Sequence, residues 1–336
     1  LSLRLPPPLR AGDTVFITAP SSGVGEALRP RFELAVQVLR QRGLRIRLGR
    51  HLFGDGEVGG AAERAAEWQG ALLDPGVHWV CAPWGGELAI ELLPHLDFER
   101  LKAAPPKWVS GFSDLSTLAL PLLLCSGWAS VHGPNLMELA AEPLDAISAG
   151  LFELLFGAQS REATQAGSSR YAGEPADWRL QPSAPLRLDQ VSRPRRLRAV
   201  MPARAEGRLV GGCLETVARL AGSRYAPLSA LPGPRLLYLE ACEAGPYEIA
   251  RTLHSLALHG WFDELGGLLI GRSAAGSGAG FDGWSVLEQL FPGDEVPVLL
   301  DLDIGHRPPQ WSLLNGAWAC VELQADRALL TQRVGA

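Results

Sequence analysis

The chain has 336 residues, 47% of them hydrophobic and 20% charged, with a formal net charge of -5 and a pI near 5.9. That length suits two domains of ordinary size, and that composition excludes disordered and collagen-like classes. The acidic balance gives no electrostatic reason to expect a nucleic-acid partner, which draws a basic face.

TVFITAP, residues 14–20, is β-branched and apolar and ends in the turn signal Pro20-Ser21-Ser22-Gly23. RPRFELAVQVLRQRGL, from Arg29, carries apolar residues at helical spacing and stops at Gly43, and LRIRLGRH then alternates like a strand. The alternation continues along the chain. AAERAAEWQGALLDP predicts a helix, VHWVCAPWGG a buried strand with a loop, LAIELLPHL a helix, PKWVSGFSD a strand with a turn, STLALPLLLCSG a helix and SVHGP a further strand. Strands alternating with helices predict a mostly parallel sheet flanked by helices, with ligands bound beyond the carboxyl ends of its strands. Gly85-Gly86 and Gly111-Phe112-Ser113-Asp114 fall at that edge.

Residues 160–195 are rich in Ser, Pro, Gly and charge without a sustained period, and read as a linker; the one basic run, SRPRRLRAV at 192–200, lies beside prolines and reads as part of the same solvated connection. The expected division is therefore an N-terminal domain over 1–160, a linker over 161–195 and a smaller C-terminal α/β domain over 196–336. The latter contains GRLVGGCLETVARLAGS as strand, turn and helix, RLLYLEACEAGPYEIARTLHSLALHGWF as strand and helix, and the strands LGGLLIGRS and VPVLLDLDIGH.

Five cysteines lie far apart with no C-x-x-C pair, which predicts neither a zinc site nor a disulfide framework and suits a reducing compartment. The opening twenty residues lack a basic region followed by a long apolar core, and LALPLLLC is too short and Pro-interrupted to cross a bilayer. A cytoplasmic protein with no membrane partner is expected.

Ser113 is open to two readings. It sits between a strand and a helix, where serine is an ordinary N-cap; the same turn holds a nucleophile when a histidine and a carboxylate are at hand. G-F-S-D-L is not the G-x-S-x-G elbow, because Leu115 replaces the second glycine. Among seven histidines, His306 stands out, one glycine beyond a strand end. His51, His78, His95, His254 and His259 have no partner pattern and read as structural, and His132 as packing or a supporting hydrogen bond. Glu240 closes the apolar strand RLLYLE, either as an exposed last residue or as the carboxylate that orients a base. APSSGVGE at 19–26 has the glycines of a phosphate loop but lacks the Gly-Lys-Ser/Thr ending.

In order and spacing these segments resemble the LD-carboxypeptidase family of serine peptidases, which also contains the microcin C immunity proteins. The likeness runs from LRAGDTVFITAPSS through VCAPWGGELAIELLPHL, PKWVSGFSDLSTLAL and GRLVGGCLETVARLAGS to LYLEACEAG and PVLLDLDIGH. It implies a Ser-Glu-His triad in an interdomain cleft, with Ser113 as nucleophile, His306 as general base and later acid, and Glu240 as its orienting carboxylate. The same resemblance implies an oxyanion hole from the amides of Asp114 and Gly86, substrate contacts at Trp84 and Gly85, no cofactor or metal, and a homodimer. Trp84 before the glycine pair, Glu87 after it, Ala241 after the strand glutamate and Arg307 with two prolines after the histidine depart from the family pattern and bear on substrate.

The expected reaction is hydrolysis of the bond from an L-centre to D-alanine in murein tetrapeptides. The rivals are cleavage of peptidyl or aminoacyl nucleotides, with Trp178 or Trp84 stacking on a purine, and a non-catalytic binding protein using the same cleft. Arg272 is a candidate for the substrate carboxylate or for a structural salt bridge.

Overall fold

A computed structural model describes residues 2–157, 162–198, 203–273, 280–324 and 327–334. The first sheet comprises β1 (Thr14–Ile17), β2 (Arg45–Leu48), β3 (Trp79–Cys81), β4 (Trp108–Ser110) and β5 (Val131–His132), all parallel where they pair. Its spatial order is β5-β4-β3-β1-β2. The central strands β3 and β4 are buried throughout, whereas the edge strand β2 exposes Arg45 and Arg47, charges that blunt an open edge.

Helix α1 (Arg29–Gln41) buries Phe32, Ala35, Val36 and Leu39, the i, i+3, i+4, i+7 stripe, and Gly43 at φ 80° lets the chain turn away. Helix α2 (Ala61–Leu73) follows, then α3 (Phe98–Ala103), whose Asp97 cap the sequence pattern did not single out. LAIELLPHL forms a 3-10 helix over Ala89–His95 instead of an α-helix; Pro94 near its end cannot donate to the ladder. Helix α4 (Ser116–Ser126) is apolar all round because it lies between two domains. Its leucines join one core with Val210, Leu214, Val217, Leu237 and Leu239 from the second half of the chain. Helix α5 (Ala146–Phe156), capped by the Asp145 carboxylate, covers the other face.

The stretch expected as linker carries structure of its own. Glu162–Ala166 is an edge strand, β6, of the second sheet, and β7 (Arg170–Tyr171) pairs with β8 (Gln190–Val191) as a small ribbon. β9 (Arg195–Arg196) closes the opposite edge of the second sheet. Strands this short expose no period long enough to read from sequence. The second sheet continues with β10 (Ala203–Cys213), β11 (Arg235–Glu240), β12 (Leu265–Gly271) and β13 (Val298–Leu302), parallel to one another, with α6 (Leu214–Val217) after β10 and α7 (Pro246–Leu258) after β11. After β13 the chain crosses to the first domain, where β14 (Leu313–Leu314) pairs antiparallel with β5 and becomes the sixth strand of that sheet. It returns as β15 (Trp318–Leu323) and β16 (Ala328–Arg333), antiparallel strands that complete an eight-stranded sheet in the order β6-β16-β15-β10-β11-β12-β13-β9. The fold is thus a mixed α/β pair of domains, the first built on a mostly parallel sheet. Among the described residues no helix is long and apolar enough to cross a membrane.

Candidate active site

The strand-to-helix turn after β4 is tight for identifiable reasons. Gly111 has φ 147°, and a Cβ there would stand 2.7 Å from Asn135 Oδ1, which accepts the Phe112 amide at 3.2 Å. Ser113 follows at φ 63°, a left-handed backbone costing an L-residue about 1–2 kcal/mol. The adjacent Asp114 side chain holds the turn in place: its buried carboxylate accepts from Ser21 Oγ at 2.6 Å, the Ala89 amide at 2.8 Å and Thr117 Oγ1 at 3.1 Å. Burial nevertheless raises the Asp114 carboxyl above its ordinary value, against those hydrogen bonds.

Ser113 does not act as the N-cap. The cap position belongs to Phe112, and Ser113 Oγ lies 3.0 Å from His306 Nε2. His306 Nδ1 lies 2.6 Å from Glu240 Oε2. Glu240 is the last residue of β11 and fully buried, so the exposed strand end considered from the sequence is not what forms. Gly305 at φ 89° makes the contact with His306 possible, since a Cβ there would overlap the Glu240 carboxylate at 2.2 Å. Burial pushes the Glu240 carboxyl up, but the His306 imidazole, by charge and hydrogen bond, brings it below the usual range. Burial lowers His306, and the Glu240 carboxylate overrides that, so the imidazole pKa stands above 6.5.

Trp84, Gly85 and Gly86 sit on the facing loop. Trp84 Nε1 donates to the carbonyls of Ser22 and Gly23 at 3.1 and 3.0 Å, which fixes the ring at the wall of a cavity of about 460 Å³. Gly85 packs so closely that a Cβ would meet Ser113 Cβ at 2.7 Å and the Asp114 amide nitrogen at 3.0 Å. Gly86 has φ 143°, and a Cβ on it would meet Ser21 Oγ at 2.3 Å. Both glycines are therefore required by contact, and the carbonyl of Gly85 accepts from the Ser22 amide. Trp178 also lines the cavity, with the Arg31 guanidinium 3.9 Å from its ring.

Arg272 is not available to a ligand. It is 4% exposed and donates to Asp303 Oδ1 at 2.9 Å, Ser192 Oγ at 3.1 Å and the carbonyls of Arg307 and Pro309. It is a structural ion pair that pins the loop carrying His306. Arg272→Met strands Asp303 in the interior, so chemical denaturation should register a loss of about 3–5 kcal/mol; a change within 1 kcal/mol would contradict this account.

The sequence reading did not single out Glu138, Asn135 or Cys213. Glu138 lines the cavity, and burial pushes its carboxyl up to about 7. His132, between Phe112 and Tyr238, is driven by burial down to about 4 and stays neutral. Its placement agrees with packing. Asn135 had a local signal in HGPN, whereas Cys213 depends on strand register, which the sequence alone does not give.

A family profile described as LD-carboxypeptidase N-terminal domain matches residues 15–133, and one described as LD-carboxypeptidase C-terminal domain matches residues 206–321. A Streptomyces coelicolor protein provisionally named a carboxypeptidase is 30% identical over 335 residues, covering 97% of this chain and 95% of its own. The chain belongs to the LD-carboxypeptidase family. As a member of this peptidase family it is also similar to the microcin C7 self-immunity protein MccF of Escherichia coli, 26% identical over 97% of this chain and 95% of that one. The murein tetrapeptide carboxypeptidase of Pseudomonas aeruginosa is 29% identical over 76% of this chain and 75% of its own. The wild-type apo structure of MccF superposes with a TM-score of 0.85 over 99% of both chains at 22% identity, a likeness of fold. The LD-carboxypeptidase profiles cover both halves of the candidate site: Ser113 in the first, Glu240 and His306 in the second.

Proposed function

We propose that this chain is a serine-type LD-carboxypeptidase that releases D-alanine from the L-centre of murein tetrapeptides during cell-wall recycling. The observation that carries the reading is the unbroken series Ser113 Oγ, His306 and Glu240 at 3.0 and 2.6 Å, with Ser113 and His306 on the wall of a cavity large enough for a short peptide and Glu240 buried behind them. Ser113 Oγ attacks the scissile carbonyl carbon while His306 Nε2 takes the hydroxyl proton. The amides of Asp114, in the free first turn of a helix, and Gly86 face the developing oxyanion, each worth about 2.7–4 kcal/mol in such a role. His306 then passes the proton to the departing D-alanine amine, and a water molecule, deprotonated by the same nitrogen, hydrolyses the acyl-serine. Glu240 holds the imidazole tautomer and balances its transient charge. Trp84 and Gly85 border the peptide, and the resemblance carries with it a cytoplasmic homodimer.

A second reading keeps the chemistry and changes the substrate to a peptidyl or aminoacyl nucleotide. Its support is the Trp178 ring, which Arg31 backs on the cavity wall and which is suited to stacking on a base. Mass spectrometry of the protein incubated with a murein tetrapeptide, and separately with an aminoacyl sulfamoyl adenylate, separates them. Release of D-alanine is expected; cleavage of the nucleotide alone transfers the assignment to the second reading, and silence on both removes the hydrolase reading.

A further inference from the structure

Three side chains of different chemistry converge behind the serine. Cys213 ends β10 and Glu240 ends β11, and the two are direct partners in the parallel register, so both lie at the same edge of the sheet. His306 reaches the same place from the loop after β13. The Cys213 sulfur, a Glu240 oxygen and a His306 ring nitrogen lie within 4.8 Å of one another. Glu240 is 0% exposed, and its Oε1 has no hydrogen-bond partner among the described residues. A buried carboxylate oxygen left without a donor is costly, and a cation satisfies it.

Sulfur, imidazole nitrogen and carboxylate oxygen are the donor set of zinc-class ions, and three protein ligands with one open position form a familiar zinc arrangement. With bonds of about 2.0–2.3 Å, the ligand atoms around a tetrahedral zinc stand roughly 3.3–3.7 Å apart. Reaching that spacing closes the widest separation by up to about 1.5 Å and opens the 2.6 Å His306–Glu240 contact, both through side-chain rotation, since Arg272 pins the loop itself. Glu215 orients the sulfur in the metal-free protein, and this contact is given up when the thiol proton leaves. Its Oε2 accepts from Cys213 Sγ at 3.2 Å, and its Oε1 accepts the amides of Cys242, Glu243 and Ala244. Glu57, Glu87, Glu215 and Glu243 add to an anionic field at this edge that draws cations.

We infer that Cys213, Glu240 and His306 form an inhibitory site for a thiophilic divalent metal ion of the zinc class. Binding releases the Cys213 thiol proton to solvent, and the metal takes His306 Nδ1. The single proton of the neutral imidazole then sits on Nε2, so the nitrogen facing Ser113 becomes a donor and cannot accept the serine proton. The inhibitory consequence rests on the triad reading above; the binding site itself rests on geometry alone.

The test is titration of the full chain with Co²⁺, followed by the near-ultraviolet thiolate-to-cobalt charge-transfer band, and then displacement by Zn²⁺. The band is expected in the wild type and in Ser113→Ala and Cys242→Ser, and should be lost in Cys213→Ser. Zn²⁺ should suppress D-alanine release, a chelator should restore it, and the inhibition constant should rise ~10-fold or more in Cys213→Ser relative to that variant's own metal-free rate. No band in the wild type, or a band that survives Cys213→Ser, overturns the site. A cobalt band in a protein that hydrolyses neither substrate would keep the site and remove the functional reading; turnover without a band would do the reverse.

Discussion

Ser113→Ala is expected to lower kcat by about 10⁴–10⁶ while leaving KM near its wild-type value. The hydroxyl is the atom that forms the covalent bond in the proposed route, and His306 has nothing to deprotonate without it. A residual rate about 10³ above water would still come from the oxyanion donors and from binding. D-alanine release under single-turnover conditions measures the loss directly. Turnover within tenfold of the wild type would show that the bond is broken by another group. The turn adds a control, because Ser113 occupies a left-handed backbone at φ 63°. Ser113→Gly should be equally inactive yet more stable than Ser113→Ala by about 1 kcal/mol, since glycine has no Cβ to strain.

Glu240→Gln should cost about 10⁴ in kcat through loss of the correct tautomer and of charge balance on the imidazolium. Its pH profile carries further information. In the wild type the carboxylate overrides burial and raises the His306 pKa above 6.5, so the acid limb of kcat/KM is expected on the alkaline side of 6.5. With the charge removed, burial is opposed chiefly by Cys242, and the limb should move to lower pH. A limb unchanged by the substitution would detach Glu240 from the base.

Stability runs the other way. A raised histidine contributes stabilisation that is complete below 6.5 and is lost as pH rises through its folded value. A lowered carboxyl contributes stabilisation that is complete above 4.5 and is lost as pH falls through its folded value. The His306–Glu240 pair therefore stabilises most between 4.5 and 6.5. Rising pH gains activity and gives up part of that contribution.

The β-α alternation, Ser113 at a strand-to-helix turn and His306 beyond a strand end were all legible in the chain, because each has a local signature: apolar period, turn glycine and strand-end position. Glu240 was legible as a residue ending a strand, but not as a buried one; its burial comes from neighbouring strands and from the loop at Gly305. Segment 162–196 was opaque for a different reason. Its strands hold two to five residues, and each is fixed by pairing with a distant partner, as Leu330 pairs with Gln165. Helix α5 went unmarked although Asp145 is an ordinary cap. The Arg272–Asp303 pair joins strands β12 and β13 through their ends, a relation set by register and invisible to spacing along the chain. Cys213 beside Glu240 belongs to the same class.

The path of residues 298–323 resembles a sewn seam. It leaves the second sheet at β13, passes His306, enters the first sheet as β14 and returns to the second as β15. The histidine thus rides on the thread itself, a few residues from the knot made by Leu313 with His132. Halves stitched in this way cannot swing apart like a clamshell without unpicking a strand, and the shared leucine core around α4 holds them closed. The cavity bordered by Trp84 and Trp178 is thus a fixed feature of the joined halves. Denaturant should therefore silence the enzyme and melt both sheets in one transition.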